Sequence, residues 1–250
     1  MNATTWYAIK PLIPKFIYED LISFYYGIRR LFFIGDNVEC PCCKRSFRTF
    51  LLSGLGACPG CGAGRRHRNL YYFLDNEKNI LERPGLKILH FAPEKGSISF
   101  FSKLNPDNYY SADLNSPRAN LHFDITHIPF SDNTFDVVIS SHVLEHIQND
   151  FEAMKELYRI LKPNGYAIHQ VPIDTKREKT FEDPNINTNE LRDKVYGHLD
   201  HKRIYGLDYA DRLQQAGFTV TPLNYIRQLS PEIIKKHGLN PSETIYYCLK

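Results

Sequence analysis

Short apolar runs and amphipathic segments alternate through the C-terminal two thirds of the chain. Leu86, Ile88, Leu89 and Phe91 form one run that ends at Pro93 and Gly96, the pattern of a buried strand entering a tight turn. A helix through Ile98, Phe101 and Leu104 is expected next, then a strand over 109–114 that closes on Asp113 and Leu114. Further strands are predicted at Leu121–Phe123, which runs into Asp124, and at Phe135–Ser140. Between Asp150 and Leu161, residues Phe151, Met154, Leu157, Tyr158 and Leu161 recur at helical spacing, and Lys162-Pro163-Asn164-Gly165 stops the helix before a strand over Tyr166–Val171. Strand and helix in alternation predict an α/β fold with a mostly parallel sheet covered on both faces. Ligands of such sheets sit at the carboxyl ends of the strands, where an acid like Asp113 holds a ribose hydroxyl. The usual glycine fingerprint is reduced to Gly96.

Upstream, residues 12–34 read as a helix or two with an aromatic face that includes Phe16, Ile17, Leu21, Phe24, Tyr25, Ile28, Leu31 and Phe32. A helix packing that face on its own domain is the expectation. A membrane-surface helix is the alternative, supported by Arg29 and Arg30 and opposed by Glu19 and Asp20. A second helix is expected over 69–82. The 250 residues carry a net charge of +3, which makes no field strong enough to predict indiscriminate nucleic-acid binding. No apolar run approaches the roughly twenty residues of a membrane span, and the start lacks signal-peptide character.

Five of the six cysteines lie between Cys40 and Cys61. Clustered pairs in a chain of this size favour metal in a reducing compartment over disulfides, so a cytoplasmic location is expected. Cys40/Cys43 and Cys58/Cys61 form two CxxC knuckles at zinc-ribbon spacing, and four thiolates satisfy tetrahedral, structural Zn2+. Cys42 or His67 can replace one of them. Lys44, Arg45, Arg48, Arg65, Arg66, His67 and Arg68 surround the knuckles and offer a grip on phosphate, although no aromatics are interleaved for base stacking. Cys248 is expected to be a core thiol.

The stretch FDVVISSHVLEHI (135–147), followed by ELYRILKPNG and a strand, resembles the class I S-adenosylmethionine-dependent methyltransferases, in a type 11-like form with an N-terminal zinc-ribbon-like leader. The resemblance implies a Rossmann-like, seven-stranded sheet closed by an antiparallel hairpin, here Thr219–Ile226 and Glu243–Leu249 around a short helix near Pro231–Lys236. It implies an S-adenosylmethionine pocket built on Phe91, Ala92, Pro93, Glu94 and Gly96. In the family's first motif an acid precedes Gly-x-Gly-x-Gly. Here His90 stands for the acid, Ala92 and Glu94 replace two glycines, and Gly96 keeps the third. Glu94 then either reads the cofactor's ammonium or faces solvent. Asp113 and Leu114 match the ribose-binding position, Asp124 and Ile125 the adenine bracket, and Ser140 and Ser141 the methionine end. His142-Val-Leu-Glu145-His146 also spells the inverted zinc-peptidase pattern, which would need both histidines on one helix face; the methyltransferase reading is preferred.

Three parts are expected: a helical segment (1–39), a zinc-ribbon-like module (40–68) and a methyltransferase domain (69–250) whose polar stretch 174–203 covers the substrate. Tyr205–Gly217 should resume as a helix whose apolar face includes Leu207, Tyr209, Leu213 and Ala216. Histidine titrates near neutrality, so His198 and His201, with Asp200 to orient a ring, lead as general bases, and His142 and His169 are rivals. The expected reaction is methyl transfer to an oxygen or nitrogen of a small molecule such as a sugar or natural-product intermediate. An RNA modifier gripping through the basic ribbon, and an inactive binding module, are the alternatives.

Overall fold

The computed structural model describes residues 15–51, 56–77, 81, 85–94, 98, 100–101 and 107–250, with residues 15–20 and 22 described by backbone alone. Gly96 and Leu104 lie outside the described residues. A helix α1 (Lys15–Leu31) leads to a hairpin of β1 (Val38–Cys40) and β2 (Arg45–Phe47), followed by α2 (Arg65–Asn76). The main sheet then forms from β3 (Ile88–Phe91), β4 (Tyr109–Ala112), β5 (Phe135–Ser141) and β6 (Leu161–Gln170), all mutually parallel. Helix α3 (Asp150–Ile160) connects β5 to β6, α4 (Asn189–Tyr196) and α5 (Tyr209–Gln215) follow, and β7 (Thr219–Leu223), α6 (Pro231–His237) and β8 (Ile245–Leu249) complete the chain. The order across the sheet is β4-β3-β5-β6-β8-β7, with β8 antiparallel to both of its neighbours.

Alternation along the central strands divides the core. Leu89, Phe91 and Val138 point to a layer with Met154 and Leu157 of α3, while Ile88, Val137 and Ile139 meet Leu70, Phe73 and Leu74 of α2. β3 pairs Phe91 with Ala112 on one side and with Ser140 on the other, so the carboxyl ends of three strands finish level. The chain leaves β3 toward β4 and then crosses back to β5, which opens the crevice expected at a topological switch point.

The sheet has six strands among the described residues, one fewer than expected. At the predicted strand Leu121–Phe123 only a single bridge, Leu121 to Ala112, is made. Polar side chains take the local donors instead: Asn120 Oδ1 accepts from Ser111 N at 2.8 Å, and Asp124 Oδ1 accepts from Thr126 N at 2.9 Å. Such side-chain capture ends a ladder early. Two other expectations need correction. Leu207 precedes α5 and is exposed, and among the described residues the aromatic face of α1 does not pack on its own domain, since Leu21, Phe24, Tyr25, Ile28 and Leu31 are all exposed. Instead α1 is held by its polar side, where Arg29 donates to the carbonyls of Cys58 (2.6 Å) and Pro59 (2.9 Å).

Arg68 of α2, only 1% exposed, fastens the cysteine-bearing module to the sheet domain. Its guanidinium donates to Gly56 O (2.8 Å) and Ala63 O (2.7 Å) on one side and to Gly238 O (2.7 Å) on the other, while the ring of Phe50 covers it at 3.9 Å. Gly238 has φ +56°, and a Cβ there would lie 2.5 Å from Phe50, so glycine is required at this junction. Arg68→Leu would leave several buried carbonyls unpaired. It should lower the unfolding free energy by about 3 kcal/mol, read as a lower urea midpoint. An unchanged midpoint would show that Arg68 does not join the two parts.

Candidate active site

The crevice at the ends of β3, β4 and β5 is a cavity of about 710 Å3, within the range of small-molecule sites. Of the predicted site residues, Phe91, Ala92, Asp113, Leu114, Asp124, Ile125 and His142 line it, whereas His198 and His201 do not. Ala92 sits at φ +50°, left-handed backbone that a non-glycine residue rarely adopts. The chain thus keeps the turn of a glycine without having one there. Asp113 Oδ1 accepts from Asn115 N (2.8 Å) and Ser116 N (2.6 Å), which fixes the carboxylate at the tip of β4. Asp124 is fixed in the same way by Thr126.

Other predicted residues lie elsewhere. Pro93 is buried. Glu94 faces His67, whose Nε2 lies 2.7 Å from its carboxylate, a contact that the sequence reading did not include. Burial alone would raise Glu94, but the charge and hydrogen bond of His67 outweigh it and bring the group down to about 2. Gly64 N donates to His67 Nδ1 at 3.1 Å, so both ring nitrogens are engaged and neither is on the cysteines. Ser140 and Ser141 are buried, and Ser141 Oγ donates to Gln170 Oε1 at 3.0 Å. His90 is a buried neutral ring against Phe101, 3.2 Å from Tyr109 Oη.

Four cysteines converge. The Sγ atoms of Cys40 and Cys61, and of Cys43 and Cys58, are 3.8 Å apart, and all four lie within 4.8 Å of one another. A tetrahedron with metal–sulfur bonds of about 2.3 Å has edges of about 3.8 Å, so these donors fit Zn2+. Cys42 is outside the group. Gly62, at φ +78°, turns the second knuckle beneath Tyr26, where a Cβ would lie 2.2 Å from the hydroxyl.

The basic residues around the knuckles are partly committed inside the molecule. Lys44 pairs with Asp75, His67 with Glu94, and Arg68 is buried, which leaves a weaker surface for phosphate than the sequence suggests.

The histidines separate by environment. His142 follows β5 with φ +55°, and its two nitrogens face Glu145 (3.1 Å) and Glu243 (3.0 Å). Burial would lower its pKa, but the two carboxylates raise it above the usual value. Both nitrogens of His142 are thus engaged by carboxylates. His146 lies on the short 3-10 turn Leu144–His146 and faces His198 and His201, away from His142's partners; the zinc-peptidase geometry is not formed. His169 is fully buried against Phe218 and outside the cavity. His201 is partly buried, and burial together with His146 pushes it down to about 4.

Asp200 and Lys202 line the cavity, so the segment 174–203 borders it. The segment is more ordered than a plain loop, since it contains α4 and is tied by the bridges Ile173–Tyr205 and Phe181–Ile204. Arg203, 2% exposed, donates to the carbonyls of Leu144 (3.0 Å), Ile147 (2.6 Å) and Gln148 (2.9 Å) and to Glu182 (3.0 Å). Asp150 accepts from Tyr205 Oη (2.7 Å) and Arg212 (2.7 Å) beside it. The sequence reading missed Arg203 as a clamp and Gln148, Asn149 and Glu152 as lining residues. Asn149 had a signal, as an N-cap type ahead of a helix with Asp150 and Glu152 in its first turn.

Residues 58–169 match the model of the methyltransferase domain family Methyltransf_11. The chain is 32% identical over 103 residues to the ubiquinone/menaquinone biosynthesis C-methyltransferase UbiE of Haemophilus ducreyi, a match covering 33% of this chain and 40% of that protein. It is 44% identical over 45 residues to a demethylmenaquinone methyltransferase of Streptomyces avermitilis, covering 18% of this chain and 20% of the relative. The chain thus spans less than half the length of these curated relatives. Among solved structures it is similar to an S-adenosylmethionine-dependent methyltransferase from Archaeoglobus fulgidus (17% identity, TM-score 0.49, 75% of this chain and 95% of that one). A counterpart from Mesorhizobium loti gives 13% identity and TM-score 0.49 over 69% and 95%. Residues 58–169 thus resemble a methyltransferase domain, and the mixed six-stranded sheet has a Rossmann-like arrangement. No helix among the described residues is long and apolar enough to cross a membrane.

Burial of His169 and His90 has a consequence for stability. Burial is the first cause in both, and it lowers them to about 3 and about 4 from 6.5. As pH falls below 6.5 the unfolded chain takes up these protons and the folded one does not. Stability is therefore present above 6.5 and is lost toward the folded values, at up to about 1.4 kcal/mol per pH unit for each histidine. His169→Leu should flatten the fall of the melting temperature between pH 6.5 and 4.5. Equal slopes in variant and parent would refute the assignment of a buried neutral ring.

Proposed function

We propose that the protein is an S-adenosylmethionine-dependent methyltransferase acting on an oxygen or nitrogen of a small molecule, with residues 69–250 as its catalytic domain, 40–68 as its metal module and 1–39 as a leading helical segment. The observation that carries this reading is the crevice at the strand ends, lined by two fixed carboxylates, Asp113 and Asp124, that suit the grip of a nucleoside. Asp113 would accept from the ribose hydroxyls and Asp124 from the adenine amino group, while Ala92 lets the cofactor approach the backbone. S-adenosylmethionine, when bound, supplies an electrophilic methyl on a sulfonium. This chain's own residues then align the acceptor and keep water out. The segment 174–203 forms one wall of the space beside the methyl group. His201, held neutral, keeps a lone pair for the acceptor's proton, with His198 next to it.

The names of the relatives include carbon methylation of quinone precursors, but they match short segments, and the polar wall of Asp200, Lys202 and Glu152 suits a polar acceptor better. RNA is disfavoured by the loss of Lys44, His67 and Arg68 from the free basic surface. A cytoplasmic, reducing setting suits four free clustered thiols. Zn2+ would sit between Cys40, Cys43, Cys58 and Cys61 as a closed structural centre. Four thiolates around it carry a net charge of −2, which the nearby Arg68 guanidinium partly offsets.

Two measurements test these readings. Calorimetry should show S-adenosylmethionine binding, and Asp113→Asn, which keeps the Oδ1 acceptor but loses the charge, should weaken it by about 1–3 kcal/mol. No binding by the parent protein would sink the methyltransferase reading, and unchanged affinity in the variant would sink the role of Asp113. Elemental analysis should find zinc in the purified protein, with Cys58→Ser losing the ribbon's equivalent and much of its thermal stability. A parent protein free of zinc would reject the structural centre.

A further inference from the structure

Three histidines meet beside the cavity, and one of them, His146, lines it. One donor nitrogen from each of His146, His198 and His201 can be chosen so that all three lie within 4.8 Å of one another. The ring centroids are 4.7 to 5.5 Å apart. The arrangement is built. A turn in which His201 N donates to His198 O sets those two side chains together. His146 is brought to them by the clamp in which Lys202 N donates to Glu145 O and Arg203 donates to the carbonyls of Leu144 and Ile147. His146 Nδ1 lies 3.2 Å from Asp200 Oδ2, an orientation that directs Nε2 away from the carboxylate. A carboxylate behind an imidazole is the usual support of a metal-binding histidine, because it fixes the tautomer and raises the basicity of the other nitrogen. Lys202 lies 4.0 Å from the second oxygen of Asp200, which assigns Asp200 to orienting His146 and not to binding an ion itself.

We propose that His146, His198 and His201 bind a divalent transition-metal ion at the mouth of the cofactor cavity, separate from the four-cysteine centre. Imidazole donors select borderline ions such as Zn2+, Co2+, Ni2+ or Fe2+ over Mg2+ and Ca2+. Bond lengths of about 2.0–2.1 Å require donor separations of about 3.0–3.5 Å. Loading therefore draws the three rings closer by less than 2 Å, a movement open to the exposed His198 and half-exposed His146. His198 Nδ1 now accepts from Asp200 N at 3.2 Å, and the ion would compete for that lone pair or take the ring's other nitrogen after a tautomer shift. Three protein ligands leave at least one position open. His146 lines the cavity, as do Asp200 and Lys202 on either side of His201, so the site borders the cavity and would open toward it. Resting on the methyl-transfer reading, the site would take the oxygen of a hydroxylated acceptor, lower its pKa and hold it for attack on the methyl carbon. The ion would then replace the general-base role given above to His201. The acceptor oxygen forms the new bond to carbon as the sulfonium bond breaks, and its proton leaves to solvent.

The test uses the full chain, dialysed against Zn2+ and analysed for bound metal, with Co2+ as a spectroscopic probe. The parent protein should hold two zinc ions per chain, and His198→Ala and His201→Ala should each hold one, with unchanged circular dichroism. Co2+ at the second site should give d–d bands without the thiolate charge-transfer band of the cysteine centre. Asp200→Asn should retain the second ion with affinity reduced about 10- to 100-fold. A single ion in the parent, or a second ion that survives both histidine substitutions, overturns the proposal. S-adenosylmethionine binding is measured by calorimetry on the same preparations. Metal without cofactor binding would therefore refute the methyltransferase reading alone, and cofactor without the second metal would refute only this inference.

Discussion

A buried guanidinium, Arg203, sets the geometry on which the site depends. Removing a cation from water is costly unless its donors are met, and here the carbonyls of Leu144, Ile147 and Gln148 and the carboxylate of Glu182 meet them. Those carbonyls belong to the segment just after β5, and Arg203 closes the segment 174–203. The two walls of the cavity are therefore held in one register. Asp150 extends the network at the start of α3 by accepting from Tyr205 and Arg212. The fixed relation of His146 to His201 follows from this network and not from the histidines themselves.

A second buried guanidinium does for the accessory module what Arg203 does for the wall. Arg68 satisfies carbonyls in the cysteine module and at Gly238 at once, and one residue earlier in α2 His67 pairs with Glu94 in the turn after β3. The module is thereby connected to the cofactor turn through adjacent residues of one helix. Metal bound to the cysteines would stiffen the loop that precedes α2, and with it the turn where Ala92 holds its left-handed backbone. The aromatic face of α1 has no such partner. Its helix is anchored through Arg29, and the exposed rings belong to the face that the hydrophobic pattern alone assigned to the interior.

Much of the sheet was legible because burial imposes a period. The runs at Ile88–Phe91 and Phe135–Ser141 are mostly apolar and almost wholly buried, as strands covered on both faces are, and α3 shows its apolar stripe and its acidic first turn. Asp113 was legible because the end of a parallel strand is a predictable place, whereas Asp124 follows a segment that makes a single bridge in place of the expected strand. The seventh strand was misread because Asn120, Asp113 and Asp124 offer the backbone local hydrogen bonds that hydrophobic pattern does not register. The surroundings of His142 and His169 were not legible, because sequence gives a residue's position along a strand but not the carboxylates, or the phenylalanine, that face it.

The sequence by itself determined the alternation of strand and helix, the two cysteine knuckles and the acid at the end of β4, since each rests on spacing within a few residues. Tertiary structure decided which polar groups meet. His67 could reach a cysteine or an acid, and the fold put it on Glu94. His146 and Asp200 are 54 residues apart in the chain and 3.2 Å apart in space. Their meeting depends on the burial of Arg203, and a long-range hydrogen-bond clamp leaves no periodic trace in a sequence.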